Sequence, residues 1–275
     1  MSEAPSSARR SRLFLGPGWL LTVALLTITL ASWFGTPHPP NAMNVPARLQ
    51  PPSWTHLAGT DEFGRDLFSR LMAGGRISLA VGLGAMTWSV LAGMLIGMLA
   101  GYFGGWLDDV LMRLMDALMA LPGIVIALLI VAVRGVGFAN TALALGLMGT
   151  PVIARVTRSA FLVGREMEYV LAARALGASS RRVILMHILP NQITPLLVAA
   201  SINLAAAILG EAGLSYLGLG TQPPDPSWGR MLQEAQRYIG VAWWYALAPG
   251  LTITVAVFAF YLLANDLQRS VSRSR

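Results

Sequence analysis

The sequence predicts an all-α polytopic chain with six transmembrane helices, and three observations carry that expectation. Of its 275 residues, 55% are hydrophobic and only 12% are charged, at a mean hydropathy of +0.60, which is more apolar than a soluble domain of this length. The apolar residues gather into six runs, the first of them long enough at about 1.5 Å per residue to cross a hydrocarbon core of roughly 30 Å. Arginines fall between those runs rather than forming a basic face interleaved with aromatics, so the net charge of +7 points to membrane topology and not to nucleic acid.

The first run, residues 13–34, follows Arg9, Arg10 and Arg12. Paired arginines ahead of an apolar run also occur in secretion signals, but no small-x-small cleavage pattern follows, so this run is expected to remain as an anchor. Residues 35–76 are polar, begin with a cluster of prolines, and are expected outside the membrane, turning helical around 61–72 with Thr60 or Asp61 as N-cap. The remaining spans are expected at 77–103, 110–133, 138–153 or somewhat beyond, 193–209 and 243–263. The chain therefore divides into a tail with the first span (1–34), an outside segment (35–76), a core of five spans (77–268) that includes a polar loop (155–191), and a second tail (269–275). With both tails and the loop inside, thirteen of the twenty arginines are inside and seven outside; the reverse orientation would place the arginine-rich loop outside, against the positive-inside rule.

Within the second span small residues recur every four positions: Ala85, Ser89, Gly93, Gly97, Gly101 and Gly105. Such a stripe lets two helix backbones approach closely, either within this chain or against a partner subunit.

Several chemistries are excluded or disfavoured. Every basic residue is arginine, so the chain has no lysine to cradle phosphate in a GxxxxGK[ST] loop and is not expected to hydrolyse ATP itself. It has no cysteine for a disulfide, thiol nucleophile or Cys-zinc site. Residues 213–218 have one residue too many for a nucleophile elbow, and Ser215 has no evident histidine or aspartate partner, which leaves no catalytic residue. His38 and His56 lie eighteen residues apart without further ligand spacing and read as loop histidines, so no metal or bound cofactor is expected. Asp116 is expected to pair with Arg113 on the same helix face; a proton-coupled secondary transporter using Asp116 or Glu211 is the alternative, though no internal repeat of the kind such transporters show is evident.

The informative stretch is 166–191, EMEYVLAARALGASSRRVILMHILPN, which reads as helix, break, helix. Residues 167–176 favour helix with Glu166 and Glu168 at its start, Gly177 suits a left-handed cap, and Pro190 is expected to stop the second helix. On residues alone this could also be a basic amphipathic helix lying on anionic lipid.

The loop resembles the EAA loop of ABC importer permeases, whose pattern is E-A-A, three residues, G, nine residues, I-x-L-P. Ala172, Ala173, Gly177, Leu189 and Pro190 match in register; Leu171 stands at the glutamate position, His187 at the isoleucine position, and Ile188 one residue late. Flanking blocks are similar to the second permease subunit of the dipeptide, oligopeptide and nickel importers: Gly59-Thr60-Asp61 with Gly64-Arg65-Asp66, Ser69-Arg70 and Arg76-Ile77-Ser78-Leu79, then Glu168-Tyr169-Val170, then Glu211-Ala212-Gly213 through Gly220 and Pro226-Ser227-Trp228-Gly229. The resemblance implies a cytoplasmic coupling helix built from Glu168, Tyr169, Ala172, Ala173, Gly177, Leu189 and Pro190 that docks on a separate ATPase. It further implies a homologous second permease subunit, two ATP-binding subunits that carry ATP and magnesium, an extracytoplasmic solute-binding protein, and an inner-membrane location with both termini cytoplasmic. Peptides, or nickel or other metal complexes, are the implied cargo.

Overall fold

The structure, a computed structural model, describes residues 16–272. Arg9, Arg10, Arg12 and the start of the first expected span lie outside those residues, as do Arg273 and Arg275. Among the described residues the regular elements are helical, apart from one bridge between Thr60 and Asp66. They are α1 (Pro17–Ala31), α2 (Leu67–Phe103), α3 (Gly105–Ala120), α4 (Gly123–Arg134), α5 (Phe138–Gly164), α6 (Glu168–Ala175), α7 (Ser180–Arg182), α8 (Ile193–Tyr216), α9 (Trp228–Ala235) and α10 (Trp243–Ser272), with short 3₁₀ and π turns between some of them.

Among the described residues four stretches are long and apolar enough to cross a bilayer: α2, α5, the continuous helical run Ser180–Tyr216, and Trp243–Arg269 of α10. The expected span over 110–133 is not one rod. It is α3 and α4, bent by 89°. Proline 122 supplies no amide and pushes the preceding Leu121 into extended backbone (φ −85°, ψ 132°), which ends α3.

In α2 the difference runs the other way, because the expected outside helix and the second span form a single helix. At 37 residues it is about 55 Å long, so its first turns stand beyond a core of roughly 30 Å. Its N-cap is Asp66, whose Oδ2 accepts from the Ser69 amide at 2.8 Å. Neither Thr60 nor Asp61 caps it. Thr60 Oγ1 accepts from the Gln50 amide at 2.8 Å, while Asp61 Oδ1 accepts from the amides of Phe63 and Arg65 at 2.8 and 2.9 Å. Both side chains are occupied in shaping the loop before the helix.

The small-residue stripe packs within the chain. A methyl group on Gly93 would lie 2.7 Å from Ile153 Cβ and 2.8 Å from Thr150 O; on Gly97, 2.6 Å from Thr157 Cβ; on Gly101, 2.6 Å from Arg158 O. At these glycines the α2 backbone lies against backbone and Cβ atoms of α5, and Ser89 Oγ extends the contact by donating to Gly146 O at 2.9 Å. Gly105 falls outside the stripe: it opens α3 at φ +59°, with nothing near its absent side chain.

Around this pair α8 and α10 complete the body. Leu79, Leu204, Ile208, Trp228, Ile253 and Phe260 form one apolar cluster, and Val81, Ala85, Ala144, Leu145 and Ala207 another. Replacing Gly97 with leucine should separate α2 from α5, destabilising the protein by about 1–3 kcal/mol as overpacking does. Thermal unfolding of the detergent-extracted chain checks this; an unchanged midpoint would mean that the contact does not hold the pair together.

Candidate functional site

α5 continues to Gly164, so the first ten residues of the expected loop 155–191 are helix and reach back to α3. Arg158 grips Asp108 through both carboxylate oxygens at 2.5 and 2.6 Å. Arg155 binds Asp116 at 2.6 Å, both side chains being exposed. The partner of Asp116 is thus an arginine from the neighbouring helix rather than Arg113.

Beyond α5 the chain forms a helical hairpin. Glu168 sits in the first turn of α6, where its charge complements the unpaired amides. Gly177 ends that arm at φ +82°, donating to Arg174 O at 2.9 Å while the Ala178 amide donates to Ala173 O at 3.0 Å. This pair of bonds is a Schellman closure, and its left-handed residue explains the glycine. The return arm does not stop at Pro190. After α7 it passes through a π turn (Val183–Ile188) and a 3₁₀ turn (Leu189–Gln192) straight into α8. Proline lies at the start of the 3₁₀ turn, where a missing amide costs little.

Val170, Val183 and Ile188 are buried together with Phe161 of α5 and Tyr102 of α2, and this cluster fastens the hairpin to the body. The π turn explains the displaced isoleucine of the loop. Its bonding pattern brings residues five apart onto one side, so Ile188 lies beneath Val183 and is buried while His187 is left half-buried. Arg174 stacks on Tyr102, 5.0 Å from the ring centre, and Arg165 donates to Gly101 O at 3.2 Å. Tyr102, Phe161 and Val183 were not singled out from the sequence, and Val170 and Ile188 were noted only as parts of a motif. The signal available was the spacing of Val183 and Ile188, which fits a helix only if one turn is wide.

All seven expected coupling residues lie on this hairpin. Glu168, Tyr169 and Ala172 are exposed on α6, Ala173 is half-buried, Gly177 is exposed at the tip, and Leu189 and Pro190 sit at the base of the return arm, where Leu189 packs against the anchoring cluster. Around them the hairpin displays bare apolar side chains, with Leu176 89% and Met186 71% exposed. Arg181 and Arg182 flank them.

The opposite end of the body is polar. Asp61, Arg65 and Arg70 are buried there; Arg65 Nε donates to Asp61 Oδ2 at 2.5 Å, and Arg70 reaches Glu234 of α9 at 3.2 Å. Tyr245 of α10 donates to Glu62 at 2.5 Å, and Arg230 meets Glu234 at 3.2 Å. This network ties the loop before α2 to α9 and α10. Glu211, buried on α8, accepts from Ser215 Oγ at 2.6 Å, and the Trp228 amide donates to Ser78 Oγ at 3.2 Å. The first and third sequence blocks therefore meet in space.

Residues 93–274 match the family described as binding-protein-dependent transport system inner membrane component. The chain belongs to this family. As a member it is a permease subunit of an ABC importer and an inner-membrane component. It is 40% identical to a di/tripeptide transport system permease protein of Pseudomonas aeruginosa over 257 residues, covering 91% of this chain and 85% of the relative. A glutathione transport system permease protein of Pectobacterium atrosepticum is also 40% identical, over 89% of this chain and 82% of its own. Among solved structures the permease shares its fold with a chain of the inward-facing MetNI methionine ABC transporter, at a TM-score of 0.59 and 17% identity, covering 72% of this chain and 94% of that one.

In this permease, Ile188→Ala should open a cavity in the anchoring cluster and weaken the hairpin by about 2–5 kcal/mol. Limited proteolysis within 165–192 should accelerate while the membrane-embedded body resists as before. Equal cleavage rates would show that the cluster does not hold the hairpin.

Proposed function

We propose that this permease forms one half of a pathway for peptides or related small solutes, and that its 165–192 hairpin is the element through which a cytoplasmic ATPase drives it. The observation that carries the proposal is the hairpin's two-sided character: one face is buried against α2 and α5, while the other presents exposed Tyr169, Ala172, Leu176 and Met186. Exposed apolar groups beside arginines suit a shallow protein cleft. The solute class rests on the relatives named for di/tripeptide and glutathione transport.

The working unit would pair this chain with a homologous permease around a central path, with two ATP-binding subunits holding ATP and magnesium below and a solute-binding protein above. No covalent step falls to this chain. Movement of the ATPases displaces α6; the Val170, Val183 and Ile188 contacts carry that displacement to Phe161 and Tyr102, and so to two spans at once. The pathway then opens to one side and the other in turn.

The topology proposed has six spans, counting α1 and the broken α3–α4 pair as one each. The hairpin and both termini face the cytoplasm, as the arginine balance requires. The loop before α2 and the α8–α9 connection face outside.

Cysteines introduced at exposed Ser53 and Asp225 should react with an impermeant thiol reagent in intact cells, and one at Ser180 should not, with no native cysteine to interfere. Labelling at Ser180 from outside would reverse the orientation. Ala172→Glu should leave membrane levels normal, reduce ATPase co-purification and bring uptake to background, because an unpaired charge buried in a contact costs several kcal/mol. The exposed position of Ala172 makes it a cleaner probe than half-buried Ala173. Wild-type ATPase retention in Ala172→Glu would remove the hairpin from the docking role.

A further inference from the structure

Three metal-capable side chains from separate stretches meet beside the N-terminus of α2: His38, His56 and Asp66, each offering a ligand atom, with these atoms within 4.8 Å of one another. We propose that they form a binding site for a borderline divalent transition-metal ion of the zinc, nickel or cobalt class. The eighteen-residue separation of the two histidines gives no hint of this. The loop that starts after α1 and ends at the cap of α2 folds back on itself and places their rings 4.8 Å apart, centre to centre.

Each donor is already oriented. Asp66 Oδ2 is taken up by the Ser69 amide and hydroxyl at 2.8 and 2.7 Å, which aims Oδ1 at His56 Nδ1, 2.9 Å away. The carboxylate is buried, at 2% exposure, so it meets a cation with little competition from water. His38 is held at its backbone, where its amide donates to Ser69 Oγ at 3.0 Å. Its Nε2 lies 2.9 Å from Thr55 O, an atom that can only accept; Nε2 therefore carries the hydrogen in the neutral ring and Nδ1 carries the lone pair. Hydrogen bonding of one ring nitrogen to a carbonyl is the outer-shell support that metal-ligating histidines characteristically use. His56 is fixed through its own turn, its amide donating to Ser53 Oγ at 3.1 Å and its carbonyl accepting from Gly59 N at 2.8 Å.

Ligand atoms around a tetrahedral ion at about 2.0–2.1 Å lie roughly 3.3 Å from each other. The Asp66–His56 pair is already that close, and half-buried His38 has only a short distance to close. An ion would replace the hydrogen bond between His56 Nδ1 and Asp66 Oδ1, the neutral ring then carrying its proton on Nε2. Two imidazoles and one carboxylate suit zinc, nickel or cobalt, whereas magnesium and calcium demand more oxygen ligands. Three protein ligands also leave a coordination position for water or an exchangeable group. Bound there, the ion would clamp residues 36–56 onto the cap of α2.

The test uses the full-length permease in its complex, purified with a histidine-free tag, stripped with chelator and titrated with zinc alone by equilibrium dialysis, with magnesium as control. Wild type should bind one more zinc per permease chain than His38→Gln or His56→Gln, or bind it at least about tenfold more tightly. His187→Gln, which removes the chain's third histidine, should match wild type. Glutamine at either position keeps a side-chain donor for the loop. A readout that needs no variant is protection: zinc should shield His38 and His56, and not His187, from carbethoxylation measured by mass spectrometry. Zinc stoichiometry and affinity equal in wild type and both variants, or equal carbethoxylation with and without zinc, would overturn the site.

Discussion

Close approach of α2 to α5 is the constraint on which the rest of this permease depends. Gly93, Gly97 and Gly101 have no side chain to hold the two backbones apart, so the helices touch through Thr150, Ile153, Thr157 and Arg158 over three successive turns. In a bilayer, lipid tails already satisfy apolar side chains, and gain comes from dispersion contacts that lipid cannot supply as well; small residues provide them. Once the pair is set, its two ends have distinct assignments. One end carries Tyr102 and Phe161, against which the hairpin packs; the other carries the Asp66 cap and Arg70, which binds Glu234 of α9.

Charge is treated differently at those ends. Around the N-terminus of α2, Asp61, Arg65 and Arg70 are buried and engaged: Arg65 with Asp61, Arg70 with Glu234 and with Asn41 at 3.2 Å. Such groups are costly to bury unless paired, and here the pairing links segments more than 160 residues apart, so it fixes the relative placement of α2 and α9. On the hairpin, Arg181, Arg182, Glu166 and Glu168 remain exposed beside apolar side chains. A surface that keeps its charges hydrated and its leucines bare is suited to a partner rather than to internal closure.

Much of this was legible in the sequence. The long apolar runs located α2, α5, α8 and α10, the spacing of small residues identified the face of α2 that packs, and Gly177 marked the hairpin turn by its need for positive φ. What was not legible depended on tertiary context. Pro122 breaks a span and Pro190 does not, although both are prolines in apolar surroundings; the difference is that Pro190 falls at the start of a tighter turn where its missing amide goes unused. Asp66 caps α2 because Thr60 and Asp61 are recruited by the loop, a competition among neighbouring acceptors that a local capping rule does not arbitrate. Arg155 displaces Arg113 as the partner of Asp116 because α5 runs on past the expected boundary. The His38–His56 approach is likewise a product of loop closure, invisible to spacing.

The uninterrupted passage from Ser180 to Tyr216 has a mechanical meaning. Within it the helical bonding pattern changes at the wide and tight turns of 183–192, between the hairpin tip and α8. If the hairpin is the docking element proposed above, the arm would act as a push rod with a compliant collar. On the proposed docking, thrust applied at the hairpin would pass along this run to its far end, where Glu211 and Ser215 are buried, while rotation of the partner would be taken up at the turns of 183–192.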